Sequence, residues 1–135
     1  MATTTAAVSV SSDISDSSIS VSNISELYTA GTTTGLTTMT SVTKVLESTN
    51  QVDLIGTGSV STTHAYVYIN NPSTDHTEFF KITIGNAGAG SPTDTEEIGR
   101  LYGGDWMWMP WDVDDDITIK PSVATKMTVE YQVFS

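Results

Sequence analysis

The chain contains no cysteine, and only five of its 135 residues are basic. Without cysteine there is no disulfide, no thiolate nucleophile and no Cys-ligated zinc. Five cations against sixteen carboxylates leave a net charge of −11. Lys44, Lys81, Arg100, Lys120 and Lys126 are spread along the sequence and form no cluster. A nucleic-acid groove neutralises phosphates with several neighbouring cations, so the sequence argues against direct DNA or RNA binding. An anionic membrane surface is disfavoured for the same reason. No apolar run approaches the ~18 residues of a membrane span. Met1–Val8 has neither a basic nor a long apolar region, so no signal peptide is expected and the protein reads as one made in the cytoplasm.

What is abundant is hydroxyl. Seventeen Ser and 23 Thr make 40 residues, and 28 of these fall in residues 1–63, so the first half is poor in core anchors. The length suits one domain. The expected organisation is an extended N-terminal arm over residues 1–16 and a single β-domain over 17–135. Within that domain, 17–63 is a thinly packed Ser/Thr-rich half and 64–135 carries the main core strands. The arm offers only Val8 and Val10 as anchors, too few to hold a strand on a core, so its order should depend on a neighbour.

Strand patterning sharpens along the chain. Residues 39–47 allow either helical or strand spacing, and the β-branched content favours strand. Ala65, Val67 and Ile69 alternate with Tyr66 and Tyr68, and Asn70–Ser73 supplies turn chemistry. Phe80, Ile82 and Ile84 oppose Phe79, Lys81 and Thr83. Gly103-Gly104 between two short apolar runs reads as a hairpin. Ile117 and Ile119 mark a strand closed by Pro121, and Met127, Val129, Tyr131 and Val133 form the clearest inward face. About eight short strands with no helix–strand alternation predict an all-β, antiparallel sandwich or barrel.

Chemistry is sparse. His64 and His76 lie near no nucleophile motif and read as surface histidines rather than a metal pair or a base. The small-residue stretch Gly85–Pro92 superficially matches a phosphate loop, but Asp94, Glu96 and Glu97 follow it and would repel phosphate, so it reads as a plain loop. Asp112, Asp114, Asp115 and Asp116 could hold calcium, although their spacing is not that of an EF-hand. No catalytic residue, cofactor or metal is expected.

The most individual segment is Asp105-Trp-Met-Trp-Met-Pro-Trp111. On a strand, Trp106 and Trp108 share one face and Met107 and Met109 the other. Both faces are large and apolar, which points to burial on both sides. The expectation is that the tryptophans close the core while the methionines meet a neighbour. Val8, Val10, Trp106, Met107, Trp108, Met109 and Trp111 are accordingly the interface candidates.

Residues 98–111 (Ile-Gly-Arg-Leu-Tyr-Gly-Gly-Asp-Trp-Met-Trp-Met-Pro-Trp), then Asp116-Ile-Thr-Ile-Lys-Pro-Ser and Met127-Thr-Val-Glu-Tyr-Gln-Val-Phe, share a cadence. It resembles that of short β-domain structural proteins of tailed bacteriophages, including those infecting cyanobacteria, over about residues 64–135. The Ser/Thr-rich arm is similar in style to head decoration (cement) proteins. The resemblance implies a non-enzymatic virion protein that binds the major capsid protein or another virion protein and assembles as a homotrimer. It carries over no functional residue. A fibre, tail or connector component, or a carbohydrate-binding module using the tryptophans, is the alternative.

Overall fold

The computed structural model describes residues 3–12, 19–29, 31–85 and 96–135. It divides between Thr37 and Thr38 into two compact units. The arm boundary expected at residue 16 lies outside the described residues, as does the Gly85–Pro92 loop beyond Gly85.

The first unit is a β-hairpin. β1 (Thr4–Ser12) pairs antiparallel with β2 (Ile19–Leu27), Val8 opposite Asn23 and Val10 opposite Val21. Segment 19–27, read from sequence as part of the main domain, is thus the partner of the arm strand. Small and β-branched residues suit extended backbone. Val10 is 57% exposed and Ile24 70%, while Leu27 and Leu36 are buried.

The second unit holds β3 (Met39–Leu46), β4 (Val52–Ile55), β5 (Ala65–Asn70), β6 (Phe79–Ile84), β7 (Glu96–Tyr102), β8 (Trp106–Trp111), β9 (Ile117–Pro121) and β10 (Met127–Phe134). They form two four-stranded antiparallel sheets: sheet I in the order β3-β10-β5-β8, and sheet II in the order β4-β9-β6-β7. Except from β6 to β7, each strand is followed by one in the other sheet. This eight-stranded double-sheet arrangement is a jelly roll.

Alternation builds the core. Ala65, Val67 and Ile69 from β5, with Val129 and Val133 from β10, face Phe80, Ile82, Ile117 and Ile119 of sheet II. All but Val133 of these are almost wholly inaccessible. At the open edge, Lys44 Nζ of β3 donates to the Asp53 carbonyl of β4 at 3.0 Å and ties the two sheets together.

Gly103-Gly104 is a tight turn but not a hairpin: β7 pairs with β6 in sheet II and β8 with β5 in sheet I. The turn carries the chain across the sandwich, with Gly104 at φ +86°. It is locked by the 71–78 loop. Gly104 N donates to Asn71 O at 2.9 Å, Asn71 N to Asp105 O at 3.0 Å, and Gly103 N to Glu78 O at 3.2 Å. Asn71 is fully buried and its Nδ2 donates to Leu101 O at 3.0 Å, so this polar side chain is satisfied where it would otherwise be costly.

Candidate functional site

The tryptophan segment is strand β8 at an edge of sheet I, and its facing is the reverse of the expectation. Ala65 lies opposite Trp111, Val67 opposite Met109 and Ile69 opposite Met107, so Met107, Met109 and Trp111 share the inward face of β5. Trp111 is 1% exposed and its Nε1 donates to Asp115 O at 2.8 Å. Met107 and Met109 pack against the core cluster. Trp111 is therefore a core residue, and Met107 and Met109 are half-buried against that core. The physical reason is the strand phase: once Trp111 is buried with its N–H satisfied, residues 109 and 107 must follow it inward. The signal lay in the sequence, because Trp111 has the parity of the methionines and not of the other two tryptophans.

Trp106 and Trp108 instead stand on the outer face of sheet I. Trp106 is 51% exposed. The Trp108 ring stacks beside Tyr66 at 5.8 Å and 12°, and lies 5.4 Å from Phe134. Trp106 leans toward Tyr68 at 6.0 Å. Register continues the surface across the sheet: Tyr66 is opposite Phe134, and Phe134 is opposite Met39, which is 60% exposed. The polar members of this face are mostly uncharged. Among the described residues of the four strands its one carboxylate is Glu130, whose Oε2 accepts from Asn70 Nδ2 at 3.0 Å. Of the interface candidates, Trp106 and Trp108 come together here, whereas Val8 and Val10 lie on β1 of the hairpin.

The outer face of sheet II corrects a second expectation. Lys81 lies directly opposite Lys120 on one side and Arg100 on the other, so three of the five basic residues form one cross-strand row. Sequence could not reveal this, because the row is made by pairing strands that lie far apart along the chain. Like charges in opposite positions destabilise a sheet. Glu97 relieves the row, 2.9 Å from Lys81 Nζ and 3.1 Å from Arg100 Nε. Hydrogen bonds from Lys81 and then Arg100 hold its carboxyl below the ordinary glutamate value. The Arg100 guanidinium lies 4.9 Å from the centre of the Phe79 ring. On the same face Gln51 Nε2 covers the Thr83–Thr118 hydroxyl pair, donating to them at 3.2 and 2.8 Å.

The remaining candidates separate. His64 precedes β5 and packs edge-on against Tyr66, whereas His76 lies beyond the other end of that strand, with Nδ1 2.7 Å from Gly103 O. Six extended residues, roughly 20 Å, lie between these positions. In the acidic run, Asp112 Oδ1 accepts from Asp114 N at 3.3 Å, while buried Asp116 turns away to accept from Thr57 N at 2.6 Å. No group of three metal-ligating side chains converges among the described residues. A cleft of about 320 Å³ at the end of the sandwich is lined by Pro72, Ser73, Glu78 and Lys126–Thr128. It brings together one lysine and one carboxylate without a nucleophile poised by a base.

No family model matches the chain, and no curated protein matches it. Among solved structures, a mitogen derived from Yersinia pseudotuberculosis (YPM) aligns with a TM-score of 0.44 and 15% identity, over 71% of this chain and 84% of that one.

Proposed function

We propose that this chain is a non-enzymatic structural subunit of a virion, a capsid decoration (cement) protein that docks on a larger shell. The supporting observation is the hairpin unit. A two-stranded hairpin is at best marginally stable in water, and this one leaves Val10 and Ile24 more than half exposed. A third strand or an apolar surface supplied by the shell would cover those residues and use the open backbone edges, which is docking by β-augmentation. The jelly roll would then be the rigid body held at the surface by its N-terminal unit.

The test compares the full chain with a chain lacking residues 1–37 for binding to shells assembled without it. Full-length protein should co-sediment with the shells and raise their melting temperature, and the truncated chain should do neither. Equal binding by both forms, or binding by neither, defeats the reading. The carbohydrate-binding alternative draws on the exposure of Trp106. It predicts that oligosaccharides quench tryptophan fluorescence in the free subunit.

A further inference from the structure

We infer that the Lys81–Arg100–Lys120 row on the outer face of sheet II docks on the acidic 112–115 turn of a second copy of this chain. The contact concerns the free subunit and does not depend on the virion reading.

The row is unfavourable where it stands. Lys81 faces Lys120 on β9 and Arg100 on β7, and like charges in opposite positions destabilise a sheet. Both ion pairs among the described residues are made by Glu97, to Lys81 and to Arg100. Lys120 is exposed and has no ion-pair partner among the described residues. One carboxylate against three cations leaves the row with an excess of positive charge. Lys81 and Arg100 stay open to a partner, with 35% and 48% of their side chains exposed. The Arg100 guanidinium rests over Phe79, whose ring lies 5.1 Å from that of half-exposed Tyr102. Arginine beside aromatic rings is the composition enriched at protein interfaces.

The same chain carries the complement. Asp112, Asp114 and Asp115 are all exposed in the turn between β8 and β9. None of these carboxylates forms an ion pair among the described residues. The turn adjoins the Ile84 end of β6, where Gly85 N donates to Asp116 O at 3.1 Å. Lys81 lies three residues back along that strand, roughly 10 Å away. The two patches therefore do not meet within one chain, and a second copy brings them together.

This arrangement favours a second copy over an unrelated acidic body, because each copy offers both halves of the contact. A contact between two different patches is heterologous, and where its rotation closes it builds a ring. Every copy in such a ring is held twice, whereas an unrelated acidic partner is held once. At 0.15 M salt the Debye length is about 8 Å, so the general repulsion between two acidic chains is damped while touching charges still act.

Sedimentation equilibrium of the full-length protein at that salt concentration tests the contact. The wild type should show a mass above that of one chain. Lys120→Glu should weaken association at least tenfold without lowering the melting temperature, because it sets a carboxylate opposite Lys81 in place of a like charge. Lys120→Gln, the milder change, should weaken association in the same direction. The double change Asp114→Lys and Asp115→Lys should also weaken it at least tenfold. That variant keeps the backbone of the turn, including the Asp115 O that accepts from Trp111 Nε1. Mixing it with the Lys120→Glu chain should restore association, since one chain brings an intact row and the other an intact turn. A wild type that stays a single chain overturns the inference, and polyglutamate binding by that single chain assigns the row to a different acidic partner. An oligomer indifferent to the substitutions, or a mixture of variants that stays apart, overturns it equally.

Discussion

At the scale of single residues, the three tryptophans within six positions should behave as different species. Trp111 is buried between the sheets with its N–H bonded to Asp115 O, so Trp111→Ala should cost about 3–5 kcal/mol. That is a large part of the ~5–15 kcal/mol that holds a domain together. Trp106→Ala should leave the thermal melt of the free subunit nearly unchanged. Chemical denaturation of the two variants side by side checks the contrast, and equal losses would contradict the assigned facing of β8. Gly103 is a second point of leverage. A Cβ there would stand 2.8 Å from Ser73 O, against backbone that cannot swing aside. Gly103→Ala should destabilise by about 1–3 kcal/mol, the cost of overpacking, through displacement of the 71–78 loop. Urea unfolding measures it. Glu97 supplies a pH prediction. Its carboxyl is held below the ordinary value by Lys81 and Arg100, so its favourable contribution is present above the unfolded-state pKa and disappears as pH falls through the lower folded-state value. The melting temperatures of wild type and Glu97→Gln should differ slightly at neutral pH and converge in acid. The exposure of the pair keeps the effect small.

At the scale of elements, the hairpin and the sandwich strands differ in what holds them. The sandwich strands each carry residues of a shared core, while β1 and β2 pair with each other. Amide exchange should therefore be fast in Thr4–Ser12 and Ile19–Leu27 of the free subunit and slow in β5, β6 and β10. Strong protection of the hairpin in a single free chain would remove the case for a partner strand. Polar side chains take part in holding both ends of the sandwich. Asn71 joins the turns at one end, and Asp116 takes up the Thr57 N–H at the other. The acidic run thus has divided roles, with Asp116 structural and Asp112 closing its own turn.

At the scale of the whole molecule, the division between Thr37 and Thr38 predicts that residues 38–135 fold alone, with a cooperative melt close to that of the full chain. A broad, non-cooperative transition in that fragment would show that the first unit contributes to the core. Symmetry is the other whole-molecule question. A sheet face that meets its own counterpart gives a two-fold pair. The trimer implied by resemblance to decoration proteins would need one patch to meet a different patch on the next copy. The mass in solution separates these two geometries.

The sequence alone determined the class of fold, because a period of two is local. Ala65/Val67/Ile69 and Met127/Val129/Tyr131/Val133 could satisfy their alternation only in half-buried strands, and the strands formed where the pattern placed them. It also held, unread, the facing of β8, since Trp111 and the methionines share a parity. What it could not hold was anything created by bringing distant strands together. Gly103-Gly104 has the local chemistry of a hairpin, yet it crosses between sheets, because the partners of β7 and β8 are chosen by core packing and not by the turn. The row of Lys81, Arg100 and Lys120 and the aromatic face from Trp106 to Met39 likewise exist only in the register of the folded sheets. Side-chain alternation is written residue by residue, whereas which strand lies beside which is decided by the burial that the whole sandwich achieves.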